Sequence, residues 1–341
     1  MQLLATSDGY QTLGDNTANM TALVVLLCAL NEQDGIANVL RSIPRTIPGI
    51  DLVNVIVVDD GSTDDTARIA VAEGVDKVVR HSHRRGLALA FQHGLDVALR
   101  LGADVVVTID ADGQYAGEDI PSLIEPVVAG TAEIVIGDRR PGSLHHFSPL
   151  KRRLQALGSS VVRMASGIAV NDAVSGFRAY SREAVLRLFV APLFSYTVQT
   201  LVQAGKLGLI VTSCPVVSRE THRPSRLQRN MAHFVMQQAV VLARTFVAYE
   251  PVKTFLAIAA PFLSIGIILV LRVVILGVLR DGQFANVPSL IAGAISLLIG
   301  LLLSATAIIG DRIRENRRLL EEILYRVRRS EIPRVSRDQE T

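Results

Sequence analysis

Short apolar runs that end in polar residues alternate with amphipathic segments along the first 218 residues. The runs are rich in Val, Ile and Leu and predict buried strands, while the segments between them have helical spacing. The predicted strands span residues 22–30, 52–60, 76–80, 103–112, 132–137 and 209–217, and the clearest helices span 35–44, 67–74 and 87–102. This alternation is typical of an α/β domain with a mainly parallel sheet covered on both faces.

Two much longer apolar segments follow near the C-terminus. Residues 255–279 are 25 residues long with Arg272 as their only charge, and residues 287–310 are 24 residues long with no charge. A membrane core of about 30 Å needs about 20 helical residues, so each segment is long enough to cross it. Neither segment has the polar face of a packed soluble helix. The pattern therefore predicts two transmembrane helices joined by a short turn.

The distribution of charge predicts how these helices are oriented. Residues 1–218 have a net charge of −4, whereas residues 219–341 have a net charge of +7, which the overall value of +3 conceals. Nine arginines follow Gly310, but the turn between the two apolar segments offers only Arg280, next to Asp281. Because basic flanks stay inside the cell, we predict a multi-pass protein of the cytoplasmic membrane with its bulk and its C-terminus in the cytoplasm.

These patterns divide the chain into five predicted parts. Residues 1–20 have no basic start and no long apolar core, which argues against a signal peptide and favours a poorly ordered leader. An α/β domain at 21–218, amphipathic interfacial helices at 219–254, a membrane hairpin at 255–310 and a basic tail helix at 311–341 follow. The tail has apolar residues at helical spacing, and we expect it to pack on the membrane or on a second subunit.

Polar residues follow three predicted strands at their carboxyl ends, where ligands bind in such sheets. These residues are Asn31 and Glu32 after the first strand, Asp59 and Asp60 after the second, and Asp110 and Asp112 after the run at 103–109. Asp and Asn also cap helices and turns, and that explanation fits Asp64 and Asp65. It fits poorly for Asp110 and Asp112, which are followed by Gln114.

The spacing of Asp110, Asp112 and Gln114 points to a divalent cation. Two carboxylates and an amide oxygen at alternate positions suit Mg²⁺ or Mn²⁺, which proteins usually hold with one or two carboxylates and the substrate's phosphates. The turn from Asp59 to Ser62 places a carboxylate where it can accept from a base or a ribose. Neither a GxGxxG nor a GxxxxGK[ST] motif stands at a strand–helix junction, so dinucleotide-binding and P-loop classes lose their main support.

Several motifs together resemble those of family 2 glycosyltransferases. They are LLCALNE (26–32), VVDDGSTDDT (57–66), a GL-rich helix from Gly86 and TIDADGQY (108–115). The later segments IGDR (136–139), DAVSGFRAY (172–180), FSYTVQTLVQAGKLG (194–208) and RPSRL (223–227) narrow the resemblance. The series over residues 21–330 is similar to the dolichyl-phosphate mannose synthase, or polyprenyl-phosphate glycosyltransferase, group with two C-terminal membrane helices.

The resemblance implies a GT-A fold, which is a Rossmann-like nucleotide-diphosphosugar transferase fold. It implies a nucleotide-sugar pocket that includes Ala29, Asn31, Glu32, Asp59, Asp60, Asp110, Ala111 and Asp112. It also implies Mg²⁺ or Mn²⁺ held by Asp110, Asp112 and Gln114 against the donor diphosphate. Arg139, Arg152, Arg153, Ser175 and Arg178 would bind the lipid phosphate, with Asp112, Arg139 and Arg153 as the catalytic set. One of Lys151, Arg152 and Arg153 would contact phosphate, and the spacing favours Arg153.

The expected reaction moves one hexose from a donor of the GDP-mannose or UDP-glucose type to a polyprenyl or dolichyl phosphate, with inversion. An anionic acceptor needs no general base, so positioning and arginine clamps are sufficient. A processive polysaccharide synthase would also need a Gln-x-x-Arg-Trp motif, which a chain without tryptophan cannot contain. A non-catalytic scaffold or lipid-binding subunit remains the alternative, although the intact Asp110 and Asp112 argue against it. We expect no nucleic-acid partner and consider a homo-oligomer compatible with the sequence.

Overall fold

The computed structural model describes residues 21–139, 160, 162–164, 166–190, 196–219, 240, 243–244, 247–279 and 287–332. A seven-stranded sheet lies at the centre of the N-terminal part. Its strands are β1 (Ala22–Ala29), β2 (Leu52–Asp59), β3 (Lys77–Arg80), β4 (Val105–Asp110), β5 (Ile134–Asp138), β6 (Arg178–Ser181) and β7 (Val211–Pro215). The order across the sheet is β3-β2-β1-β4-β6-β5-β7, and only β6 runs antiparallel to its neighbours.

Helices cover both faces of this sheet. They are α1 (Ile36–Ser42), α2 (Thr66–Ala72), α3 (Leu87–Arg100), α4 (Ile120–Val128), α5 (Arg182–Arg187) and α6 (Tyr196–Leu207), with a 3₁₀ turn at Gly117–Asp119. Alternate residues of β1 enter two separate cores: Val24 and Leu26 pack with α3, while Leu23, Val25 and Leu27 pack with α1 and α4. A strand buried on both faces has no polar alternation, which is why β1 and β2 appear in the sequence as continuous apolar runs.

The register of the central strands aligns three carboxyl ends at one edge of the sheet. Cys28 of β1 lies opposite Asp110 of β4, and Ala29 lies opposite Asp59 of β2. The loops that follow these strands therefore meet, as they do in open α/β sheets generally. The α/β fold predicted from the sequence is confirmed, and all six predicted strands are present. Strand β6 was not predicted.

Two long helices follow the α/β domain along the sequence: α7 (Pro251–Leu279) and α8 (Val287–Glu331). Both are long and apolar enough to cross a membrane, and only 17% of the apolar window of each is buried inside the protein. A core helix of a soluble protein would be mostly buried, so the outward apolar faces favour a bilayer as their surroundings. Glycines bring the two helices close together. A Cβ at Gly300 would lie 2.6 Å from the Leu263 side chain, and one at Gly266 would lie 2.6 Å from that of Leu297.

Helix α8 does not end at Gly310, where the apolar segment ends, but continues to Glu331 and docks on the α/β domain. The Arg328 guanidinium is buried and donates to the Leu188 carbonyl at 2.8 Å and to Asp96 Oδ1 at 2.7 Å. The Tyr325 hydroxyl donates to Glu183 Oε1 at 2.8 Å. The expectation that the tail packs on the membrane or on a second subunit is therefore wrong for this face of the helix, because the α/β domain covers it.

Candidate active site

The loop after β1 is joined to the turn after β2 by side-chain hydrogen bonds. The Asn31 backbone N–H donates to Ser62 Oγ at 2.9 Å, and the side-chain Oδ1 of Asn31 accepts from the Thr63 backbone N–H at 2.8 Å. The Glu32 N–H donates to Thr66 Oγ1 at 2.8 Å. Asn31 has a φ of 53°, a conformation that Asn tolerates better than most residues. The two loops therefore form one rigid wall, and Glu32 lines the cavity beside it.

Asp59 and Asp60 support this wall from beneath. Asp59 is fully buried; its Oδ1 accepts from the Ser62 N–H at 2.9 Å, and its Oδ2 lies 3.1 Å from Arg80 Nε. Asp60 Oδ1 accepts from His81 Nδ1 and from the Arg85 N–H, each at 2.8 Å. Asp59 is therefore placed to shape the turn through its Oδ1. Its predicted contact with the nucleotide stays a prediction.

The Asp60 contact extends into a pair of histidines that no pattern in the sequence links. His81 Nε2 lies 2.9 Å from His93 Nδ1 on α3, and the two rings meet edge to face. With His81 Nδ1 donating to Asp60, a neutral His81 accepts at Nε2 and His93 donates. Burial, followed by the neighbouring His81, lowers the pKa of His93. This network holds the loop between β3 and α3 against Gly61, where a Cβ would lie 2.5 Å from the His83 carbonyl carbon.

Asp110 and Asp112 stand at the carboxyl end of β4. Asp112 is exposed, whereas Asp110 is largely enclosed, and a Cβ on Gly176 would lie 2.7 Å from both Asp110 carboxylate oxygens. Burial raises the pKa of Asp110 to about 7, and the charge of Asp112 adds to the increase, against the opposing effect of Arg139 and Arg178. A carboxylate held in this way favours a nearby positive charge.

The oxygen ligands at this edge fit a divalent cation whose remaining coordination positions are filled by the substrate. Within the described parts of the chain, no group of three or more His, Cys, Asp and Glu side chains has the arrangement of a self-sufficient metal site. Two carboxylates at this edge are nevertheless what Mg²⁺ or Mn²⁺ requires when phosphate oxygens and water fill the other positions. Asp110 and Asp112 would hold such an ion. The third predicted ligand, Gln114, uses its Oε1 to accept from Arg139 Nη1 at 3.2 Å.

Arg139 follows β5 and faces the same edge. Its Nε and Nη2 donate to the two oxygens of Asp172 at 2.6 and 2.8 Å, and its guanidinium lies 5.8 Å from the centre of the Tyr115 ring. Asp172 is 1% exposed. Burial on its own lowers the pKa of Arg139, but the hydrogen bonds with Asp172 outweigh it, so the net pKa is raised and the charge is secure. Arg139 is therefore a fixed positive charge beside the two aspartates.

Arg178 and Ser175 both lie inside the protein. Arg178 is fully buried in β6, and its guanidinium donates to the carbonyls of Ala173, Ser175 and Thr197 at 2.8 to 2.9 Å. Ser175 is also fully buried, with its Oγ 3.2 Å from the Tyr115 hydroxyl. In this structure the guanidinium of Arg178 is enclosed by protein carbonyls, and both residues hold the turn between Ala173 and Arg178. Direct contact of Arg178 and Ser175 with phosphate stays a prediction.

This role predicts a loss of stability when Arg178 is replaced by methionine. The substitution keeps much of the volume but removes the donor to the carbonyls of Ala173 and Ser175, whereas the Thr197 carbonyl still accepts from the Thr200 hydroxyl at 3.2 Å. Each buried group left unsatisfied costs about 1–3 kcal/mol. We expect the midpoint of thermal unfolding to fall by at least about 5 °C. Calorimetry of the purified chain measures it, with Arg163→Met, an exposed arginine, as the control. A midpoint equal to that of the control would contradict the structural role.

The raised pKa of Asp110 predicts a pH dependence of stability. The folded pKa of about 7 lies above the ordinary value of 3.8, so the folded chain binds this proton more tightly than the unfolded chain. The resulting contribution to stability is fully present below pH 3.8 and is lost as the pH rises from there through about 7. We expect the unfolding midpoint of the chain in EDTA to fall over this pH range, and Asp110→Asn to remove most of the fall. An equal pH slope in both proteins would contradict the assignment.

A cavity of about 360 Å³ opens beside these residues and is lined by Glu32, Asp34, Gly35, Asn38, Val39, Ser42, Asp112, Gly113, Tyr115 and Arg219. The side chains of Ala29 and Ala111 are buried, so only the backbone of these two residues is available for the predicted nucleotide contact. Arg219 begins the segment 219–254, which the sequence pattern assigns to interfacial helices and not to the site. It is brought here because its N–H donates to the Gln114 carbonyl at 2.8 Å. Arg152 and Arg153 lie outside the described residues.

Comparison with known proteins identifies relatives of the α/β domain. The model of glycosyl transferase family 2 matches residues 24–189. The UDP-N-acetylglucosamine–dolichyl-phosphate N-acetylglucosaminyltransferase of Methanococcus voltae is 32% identical over 48% of this chain and 70% of its own length. The polyprenol monophosphomannose synthase of Mycolicibacterium smegmatis is 28% identical over 58% of this chain and 77% of its own length.

Among solved structures, the chain is similar to glucosyl-3-phosphoglycerate synthase from Mycobacterium tuberculosis. That enzyme was crystallised with Mn²⁺, uridine diphosphate and glucosyl-3-phosphoglycerate. The superposition has a TM-score of 0.52 at 27% identity and covers 67% of this chain and 80% of that one.

Proposed function

The chain belongs to glycosyl transferase family 2 and is a hexosyltransferase, and from that premise we propose that it transfers one hexose from a nucleotide-diphosphosugar to a polyprenyl phosphate at the cytoplasmic face of a membrane. One observation carries the proposal. Asp110, Asp112 and the fixed charge of Arg139 lie at one edge of the sheet, where the two carboxylates suit a cation. Helix α8 docks on the same domain through its C-terminal part and contains a membrane-length apolar segment. Relatives named for dolichyl phosphate and polyprenol products support the lipid acceptor.

The donor is proposed to lie in the cavity beside Glu32 and Asp112, with its diphosphate at the carboxyl end of β4. When bound there, Mg²⁺ or Mn²⁺ would stabilise the charge that leaves with the nucleoside diphosphate. Asp110 and Asp112 would hold the ion, and Arg139 would orient the acceptor phosphate. Mn²⁺ in the related glucosyl-3-phosphoglycerate synthase supports this cofactor.

The proposed chemistry is a single displacement. A lipid phosphate oxygen forms a bond to C1 of the sugar as the bond from C1 to the diphosphate oxygen breaks, and that electron pair leaves with the nucleoside diphosphate. The configuration at C1 inverts. Because the second pKa of a phosphate monoester is near 6, the attacking oxygen is already anionic and no proton needs to be removed. Fixed positive charge and orientation are then the contributions that the protein has to make.

The test uses the purified full chain in detergent with Mn²⁺ or Mg²⁺. UDP-glucose, UDP-N-acetylglucosamine and GDP-mannose are each supplied with undecaprenyl phosphate or, separately, with 3-phosphoglycerate, and products are measured by mass spectrometry. We expect a lipid phosphate that carries one hexose, with none formed in EDTA. Products with several sugars would favour a polymerising enzyme, and sugar found only on 3-phosphoglycerate would assign a soluble acceptor. Absence of product with every pair would favour the scaffold alternative.

The cytoplasmic location is a separate part of the proposal and has its own test. In a chain with Cys28→Ser and Cys214→Ser, a single cysteine is introduced as Asp281→Cys in the turn or as Ser330→Cys near the end of α8. We expect a membrane-impermeant maleimide to label intact cells only at position 281, because basic flanks remain inside. Labelling at position 330 without permeabilisation would contradict the proposed orientation.

A further inference from the structure

Arg139 has different partners on the two sides of its guanidinium. The Nε and Nη2 atoms donate to Asp172 at 2.6 and 2.8 Å, a bidentate pair in which the carboxylate is 1% exposed. Nη1 donates to Gln114 Oε1 at 3.2 Å. Charge-assisted bidentate bonds are stronger and more directional than a bond to a neutral amide. The Asp172 side is therefore fixed, and the Gln114 side is the one that can exchange.

The Gln114 oxygen that accepts from Arg139 is also the oxygen that the resemblance assigns to the cation, beside Asp110 and Asp112. Gln114 follows Asp112 by two residues, and its backbone N–H donates to Asp112 Oδ1 at 3.0 Å, so the two side chains belong to one turn. A divalent ion and a guanidinium that share one amide oxygen bring two positive charges close together, and their repulsion is strong in an enclosed site. Loading of the ion is therefore expected to displace Arg139 Nη1 from Gln114.

We propose that Gln114 exchanges Arg139 for the cation and so releases Arg139 Nη1 for the acceptor phosphate, while Asp172 is the positioning residue that keeps the guanidinium in place. The inference rests on the proposed function and adds an order of events to it. Before the ion and donor are bound, Gln114 occupies the arginine and the lipid phosphate binds weakly. Afterwards the same arginine faces the acceptor.

The experiment measures binding of undecaprenyl phosphate to the full chain in detergent, once in EDTA and once with Mn²⁺ and UDP, with GDP in parallel. Wild type is expected to bind the lipid more tightly in the second condition. That increase alone is not decisive, because the ion itself attracts phosphate. The decisive variant is Gln114→Ala in EDTA, which we expect to bind the lipid at least about fivefold more tightly than wild type, because the hydrogen bond that competes for Arg139 Nη1 is lost.

The control for this variant is Asn316→Ala, which removes an exposed amide on α8 and is expected to match wild type. A lipid affinity of Gln114→Ala in EDTA that equals or falls below that of wild type would overturn the exchange. This outcome is distinguishable from failure of the proposed function. A wild-type chain that forms no glycolipid and binds no undecaprenyl phosphate in either condition would overturn both.

The role of Asp172 is tested with Asp172→Asn, which keeps the size of the side chain and removes its charge. We expect the KM for undecaprenyl phosphate to rise about tenfold, while the affinity for Mn²⁺ with UDP or GDP, followed by electron paramagnetic resonance, stays within about twofold. A purely structural role would impair both. Equal losses, or an unchanged KM, would overturn the positioning role. If Asp172→Asn fails to fold, the Gln114→Ala measurement still decides the exchange.

Discussion

Replacing Asp112 with alanine is expected to reduce sugar transfer by roughly a thousandfold. A cation at this edge supplies several kcal/mol of transition-state stabilisation, and each factor of ten corresponds to about 1.4 kcal/mol. Asp112 is exposed, and its Oδ1 accepts from the Gln114 backbone N–H, so removal of the carboxylate leaves the core intact. The expected loss is therefore chemical, and the midpoint of thermal unfolding should not change.

Two measurements separate this loss from a general defect. Electron paramagnetic resonance should show that Mn²⁺ bound in the presence of UDP or GDP is lost, and mass spectrometry should show no glycolipid. Asp51→Ala is the matched control, because Asp51 is exposed at the amino end of β2, away from the site. Glycolipid formed at the wild-type rate by Asp112→Ala would refute the metal assignment.

Replacing Arg139 with alanine is expected to lower kcat/KM for the lipid phosphate by about a hundredfold, the usual effect of losing one donor to developing or transferred charge. The affinity for nucleotide should change by less than about threefold, because Arg139 faces the acceptor in the proposed arrangement. Arg139→Lys is not expected to restore activity. A single ammonium cannot bind both oxygens of Asp172 and also reach a phosphate.

Loss of Arg139 also leaves the buried Asp172 carboxylate unpaired, which is destabilising in itself. The double variant Arg139→Met with Asp172→Asn removes both charges and should fold more stably than Arg139→Ala while it remains inactive. Arg100→Ala, an exposed arginine in the last turn of α3, is the control. A larger effect on nucleotide affinity than on use of the lipid phosphate would contradict the proposed role. Arg153→Ala is likewise expected to impair use of the lipid phosphate more than nucleotide affinity.

The central strands were predictable because burial on both faces leaves a strong signal. In β1 and β2 nearly every residue is apolar, and the acidic residues that end β2 and β4 mark the edge where ligands bind. The resemblance of the motifs to family 2 glycosyltransferases is confirmed. Assignment of the individual site residues depends on side-chain contacts between distant segments, and these are not visible in spacing.

Strand β6 shows why part of the fold was missed. It has four residues, begins with Arg178 and contains no apolar run, so its pattern does not differ from that of a loop. A buried arginine is rare unless it is paired or hydrogen-bonded, and here the bonding groups are carbonyls of a turn that forms only in the folded chain. The pairing of His81 with His93 was equally hidden, because the loop after β3 and helix α3 bring the two rings together.

The sequence pattern predicted a membrane span to residue 310 and a separate tail helix from 311, and the continuity of α8 across this boundary was missed for a different reason. The change from apolar to charged residues at Gly310 marks the change of surroundings, not the end of the helix. Gly310 lies within the helix, where a Cβ would approach the Pro251 side chain to 2.7 Å. Composition reports what surrounds a helix, whereas its length is set by hydrogen bonds that cross the boundary without interruption.

The uninterrupted helix from Val287 to Glu331 sets the distance between the membrane-length apolar segment and the sheet. Each residue inserted after Asp311 would raise the docking residues by about 1.5 Å and rotate them by about 100°. An insertion of two residues would turn Tyr325 and Arg328 away from Glu183 and Asp96, whereas seven residues, close to two full turns, would restore the facing and lift the site by roughly 10 Å. Reach to a headgroup in the membrane would then fail while donor binding persisted.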